Sequence, residues 1–137
     1  MSSIMIHYMN IFENVINKRA DELGTGIKAK FIAEQGVNYF IQINTKVGFL
    51  PFDSLSHGEQ TIAMFLLLDM LNTLCGTKLL LMDDLNHLDP NSLDTLMSLI
   101  TSTPVINDYD HIFISSVNNT DMINVVSKYT AAIDLIF

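Results

Sequence analysis

The stretch DSLSHGEQTIAMFLLLDMLNTLCGTKLLLMDDLNHLDP, residues 53–90, dictates most of what this chain can become. From Glu59 to Leu74 apolar side chains fall on nearly every helical face, the pattern of a helix buried on most sides. Gly76 stands where a helix C-cap belongs. KLLLM, next in the chain, is short and continuously apolar, like a strand inside a parallel sheet. It ends on two carboxylates, Asp83 and Asp84, and Pro90 opens a second helix that runs to about Ile100. Helix, buried strand and helix in succession require layers packed about one core.

The flanking sequence agrees. Ile4, Tyr8, Ile11, Phe12, Val15, Ile16 and Leu23 recur at helical spacing, and Gly24 and Gly26 stop that helix. KAKFIAEQ and VNYFIQIN read as two strands about a turn at Gly36, a hairpin. TKVGFLPFDSL reads as a loop, punctuated by Gly48 and Pro51. HIFIS is a second buried strand, residues 120–128 a helix, and AAIDLIF a closing strand. The expected fold is α/β: a mostly parallel sheet flanked by helices, with an N-terminal helix and β-hairpin. The 137 residues suit a single unit, with the helix at 1–24, the hairpin at 27–44 and the remaining layers at 53–137.

Charge narrows the classes of function. Residues 1–50 carry five basic side chains against four acidic ones, net +1; residues 51–137 carry two against eleven, net −9, giving −8 together. The second half would repel a nucleic-acid duplex, because affinity for one rests on neutralising phosphates. The longest apolar run, Ile62 to Leu68, is too short to span a bilayer, so no membrane partner is expected. No secretory leader is legible in MSSIMIHYMNIF. The lone Cys75 lies in an apolar helix and reads as a buried thiol in a reducing compartment; a cytoplasmic location follows, nucleoid-associated or nuclear sites included. The four histidines lack metal-ligand spacing.

LSHGEQ, residues 55–60, holds the densest local signal. Ser56 followed three positions later by Glu59 is a capping box at the head of the long helix, and that is a complete structural explanation in itself. The same helix start presents free N–H groups and partial positive charge, which suit a phosphate. Gly58 would admit close approach of the backbone, and the Ser56 hydroxyl could donate to an oxygen. About two dozen residues on, the Asp83–Asp84 pair lies at a strand end, where α/β sheets bind ligands. One acid there could serve Mg²⁺ and the next an attacking water.

LSHGEQ, a buried helix, LLLMDD and LNHLDP in that order resemble the C-terminal half of an ABC-type ATPase head, in the SMC and RecF/RecN-like branch. The resemblance implies that Ser56, Gly58 and Glu59 form the signature that meets the γ-phosphate of ATP held by an opposing head. Asp83 would be the Walker B acid that serves Mg²⁺, and Asp84 would stand at the catalytic position usually held by glutamate. Leu88 and Asp89 would form the D-loop at the dimer seam. The implied partners are an N-terminal lobe carrying the Walker A motif and a second head, with DNA reached through the complete protein. The helix at 1–24 would be the root of a coiled coil.

Three departures qualify the resemblance. None of the six glycines (24, 26, 36, 48, 58 and 76) belongs to a G-x-x-x-x-G-K-[ST] motif, so the phosphate cradle must come from other polypeptide. Asp83 and Asp89 lie six positions apart where the family normally has seven. The family's histidine after the next strand falls on Ser116, which could donate to a phosphate oxygen but cannot titrate. Hydrolysis is therefore expected only from the completed head. The alternative is a non-catalytic interaction domain that docks a partner through the signature face. Beginning in a helix, the chain is expected to be a half-protein or a piece cut at the head boundary.

Overall fold

The computed structural model describes residues 3–32, 40–45, 47–83, 85, 88–116 and 120–129. These form two compact units, residues 1–75 and 76–137.

The first unit opens with α1, Ser3–Glu22. It ends as its glycine requires. Gly24 takes φ 63°, its N–H donates to Asp21 O at 3.0 Å, and the Thr25 N–H reaches Ala20 O at 3.1 Å. These two bonds close a Schellman cap on carbonyls the helix would otherwise leave unpaired. A three-stranded antiparallel sheet follows, β1 (Ala29–Ile32), β2 (Phe40–Thr45) and β3 (Gly48–Pro51), in the order β1-β2-β3. The hairpin of β1 and β2 is the expected one, with Ala29 facing Ile43 and Ile32 facing Phe40; the turn expected at Gly36 lies outside the described residues.

β3 corrects the reading of residues 45–55 as a loop. Thr45 turns the chain back, its hydroxyl donating to Gly48 O at 2.9 Å, while Gly48 takes φ 112°. Pro51, read as a loop marker, instead ends an edge strand, where its missing N–H costs little. A 3-10 turn over Phe52–Ser54 then leads into α2, His57–Cys75.

Side chains of α1 hold the outer edge of β1. The Ala29 N–H donates to Asn17 Oδ1 at 2.8 Å, Asn17 Nδ2 donates to Ala29 O at 3.1 Å, and the Phe31 N–H donates to Glu13 Oε1 at 2.7 Å. An edge strand with open N–H and C=O groups invites pairing with another chain, and these three bonds occupy that edge. α1 is also tied to α2 by an ion pair. Arg19 Nε donates to Asp69 Oδ2 at 2.8 Å and Nη2 to Oδ1 at 3.3 Å, with both side chains buried. The buried apolar residues of this unit include Ile16, Ala20, Ile43, Phe65, Leu66 and Met70.

α2 itself is less enclosed than expected. Met64, Leu71 and Leu74 are exposed, and so is Cys75, which the apolar sequence around it had suggested to be buried. A helix apolar on all faces does not report which face is covered.

The second unit pairs β4 (Leu79–Met82) with β5 (His111–Ile114) in parallel, Leu79 opposite His111 and Met82 opposite Ile114. Between them in sequence run α3 (Pro90–Ile100) and α4 (Thr103–Asp108), and α5 (Thr120–Val126) follows β5. α4 has no counterpart among the expected elements. α3 buries Leu93, Leu96, Met97 and Ile100, an i, i+3, i+4, i+7 stripe. β4 is buried on one face only: Leu80 and Met82 are enclosed while Leu79 and Leu81 are exposed, a correction to the fully buried strand expected of KLLLM. The closing strand expected over AAIDLIF lies outside the described residues. The whole is a mixed α/β fold, helices with a small parallel sheet.

Candidate functional site

The two candidate features lie in different units. In the first unit Ser56 is the residue before α2, and the expected capping box is present in both directions. The Glu59 N–H donates to Ser56 Oγ at 3.2 Å, and the Ser56 N–H donates to Glu59 Oε1 at 3.1 Å. The first helical bond runs from Gln60 N to Ser56 O at 2.8 Å. A serine hydroxyl that accepts one bond still holds its own proton for donation. The cap and the donation to an incoming oxygen are therefore compatible.

Gly58 lies in the first turn of α2 and is half-buried; Ser56 and Glu59 are exposed. Gln60, which sequence reasoning passed over, ties the turn down from behind, its Nε2 donating to Phe52 O at 3.1 Å. Leu55, the apolar residue just before the cap, is buried. The turn is held from inside and presents its polar side outward.

In the second unit Asp83 follows β4 directly and is exposed. Its partner is Ser115, the first residue after β5, whose hydroxyl donates to Asp83 Oδ1. The Ser115 main chain is fixed to the same strand end. Its N–H donates to Met82 O at 2.9 Å, and its carbonyl accepts from Leu85 N at 3.0 Å. These parallel strand ends carry an all-oxygen donor set, a carboxylate beside a hydroxyl. That suits a hard cation such as Mg²⁺, which takes one or two carboxylates and completes its shell with water and phosphate. Ser116, the position matched to the family's histidine, is exposed and is not the serine that meets Asp83. Asp84 lies outside the described residues.

Asp89 has a structural task. It is the N-cap of α3, and its Oδ1 accepts from Ser92 N at 2.6 Å. The Ser92 main-chain N–H, then its hydroxyl, holds the Asp89 carboxyl below the ordinary aspartate value. Leu88 is buried beside it, its N–H donating to Leu85 O at 3.2 Å. Leu85 and Leu88 are thus both buried, and the Asp89 carboxylate caps the helix that follows.

No protein-family model and no curated protein sequence matches the chain. Solved structures do match its fold. One, from a study of ATP-driven dimerization and DNA-stimulated activation of SMC ATPases, aligns with TM-score 0.64 at 13% identity over 89% of this chain and 76% of its own. The chain is similar in fold to SMC ATPase heads. The Smc head of Pyrococcus furiosus, with an extended coiled coil and bound to the C-terminal domain of ScpA, aligns with TM-score 0.59 at 15% identity. A Smc head bound to the C-terminal winged-helix domain of ScpA aligns with TM-score 0.58 at 16% identity. Each of these two matches covers 88% of this chain, and 31% and 38% of the respective neighbour. The chain therefore spans about a third of those two neighbours.

Proposed function

We propose that this chain is the C-terminal lobe of an SMC-like ABC ATPase head and supplies half of an ATP pocket completed by other polypeptide. The observation that carries the reading is the signature turn. In a chain with the SMC-head fold, LSHGEQ stands at the start of α2 with Ser56 in a reciprocal cap, its hydroxyl proton still available to an anion.

In this reading Ser56 donates to the γ-phosphate of a nucleotide held by an opposing head, and the α2 N-terminus adds its partial positive charge. Gly58 allows the phosphate close approach. Mg²⁺, when bound, offsets phosphate charge. Asp83 would orient its water shell, and Asp84, by its place in the sequence, would orient the attacking water. An aspartate there is one methylene shorter than glutamate, so water is placed less well and turnover is slow. Asp89 and Leu88 present the following turn at the head–head seam, and Ser116 lies near the phosphate. The phosphate cradle comes from an N-terminal lobe carrying Walker A. Two such heads would engage around two nucleotides, with DNA maintenance, repair or defence as the setting for the complete protein.

Titration with Mg-ATP tests this directly. The chain alone is expected to bind weakly, and its combination with the P-loop lobe tightly. Tight binding by the chain alone would overturn the proposal.

A further inference from the structure

The family pattern directs attention to Ser116, yet the side chain that meets the strand-end acid belongs to its neighbour. Ser115 is fastened three ways to the end of β4: its N–H to Met82 O at 2.9 Å, its carbonyl to Leu85 N at 3.0 Å, and its hydroxyl to Asp83 Oδ1. The two main-chain bonds set where Ser115 stands whatever its side chain. The hydroxyl then reaches the carboxylate of Asp83.

We infer that Ser115 is a positioning residue that fixes the Asp83 carboxylate for a divalent cation bound with nucleotide. Asp83 is exposed, and an exposed aspartate samples several rotamers, so a cation must select one of them at an entropic cost. A hydroxyl donated to one carboxylate oxygen makes that selection before the cation arrives. Hydrogen-bond partners of ligating carboxylates act in this way at metal sites generally, and their loss weakens metal binding. The inference rests on the nucleotide-binding reading above and adds a residue to it. In this role Ser115 works through Asp83, to which its hydroxyl donates.

The test is the affinity of Mn²⁺, read by its electron paramagnetic resonance signal, for the complete head loaded with a non-hydrolysable ATP analogue. Ser115→Ala is expected to weaken Mn²⁺ binding about 10-fold, while binding of the metal-free nucleotide in EDTA changes by less than about twofold. Ser115→Thr, which keeps the hydroxyl, restores the affinity, and Ser98→Ala, which removes an exposed α3 hydroxyl that donates to Thr95 O at 2.7 Å, leaves it unchanged. Because the main-chain bonds persist in Ser115→Ala, the fold is expected to survive. Should that variant fail to fold, Ser115→Cys keeps the shape with a weaker donor and is expected to lose a smaller part of the affinity. Unchanged Mn²⁺ affinity in whichever of Ser115→Ala and Ser115→Cys folds would overturn the inference and leave the nucleotide reading standing. So would an equal loss in Ser98→Ala. A wild-type head that takes up no nucleotide, with or without metal, would overturn both.

Discussion

Removing one member of the Arg19–Asp69 pair should come close to unfolding the first unit. Both side chains are buried, at 7% and 1% exposure, and the guanidinium meets the carboxylate through two bonds, Nε at 2.8 Å and Nη2 at 3.3 Å. Taking away one partner of such a pair leaves the other's desolvation uncompensated, which costs about 3–5 kcal/mol. Arg19→Met, which deprives Asp69 of the guanidinium, should fall in the upper part of that range. Asp69→Leu should fall near about 3 kcal/mol, because Nη1 of Arg19 also reaches Glu22 at 3.2 Å and retains that carboxylate. Replacing both residues removes the buried charge altogether, and the double variant should return to wild-type stability or exceed it by about 1–4 kcal/mol. Urea denaturation of the purified protein, followed by circular dichroism, measures all three and yields the coupling energy of a double-mutant cycle. Single variants within about 0.5 kcal/mol of wild type, or a double variant that loses the sum of both, would refute the reasoning.

Other consequences follow from single contacts. Ser56→Ala should lower stability by about 1 kcal/mol through the lost cap, whereas Ser56→Asp keeps the cap with an acceptor-only carboxylate and should lose only the nucleotide-dependent association of heads, so denaturation and association assays separate the two roles. Tyr129 is pushed up to about 12 by burial first, then by its hydrogen bond to Asp94 and that residue's charge. A raised folded value favours the neutral phenol, so this stability is whole below pH about 10 and lost as pH rises to about 12; Tyr129→Phe should remove that alkaline dependence from the melting curve. Asp89 has the opposite sign: its lowered value adds stability that is present above pH about 3.8 and lost as pH falls further, a dependence that Asp89→Asn should abolish in acid titrations. Cys75 should react with a thiol reagent in the native protein, without denaturant.

Features written in neighbouring residues were the legible ones. The box between Ser56 and Glu59, the glycine stop of α1 and the proline start of α3 each depend on residues a few positions apart, and all three stand as expected. What distance in the chain conceals was missed. Arg19 and Asp69 lie 50 positions apart, and a charge inside an apolar run shows that it has a task without naming its partner. The same holds for Ser115 and Asp83, 32 positions apart, a pair that no local pattern names. β3 was lost because glycine and proline signal turns more strongly than a four-residue edge strand signals itself. Leu79, Leu81 and Cys75 show the limit of apolar runs, which state that a segment is greasy and leave open which side is covered.

The central claim is that two heads share each nucleotide, with Ser56 reading the phosphate across the seam. Sedimentation of the complete head bearing Asp84→Asn, with and without ATP, tests it most directly. The account predicts a monomer that becomes a dimer on adding ATP, and a monomer at every ATP concentration once Ser56→Arg is added, although that variant still binds ATP. ATP-dependent dimers that form equally well with arginine at position 56 would contradict it.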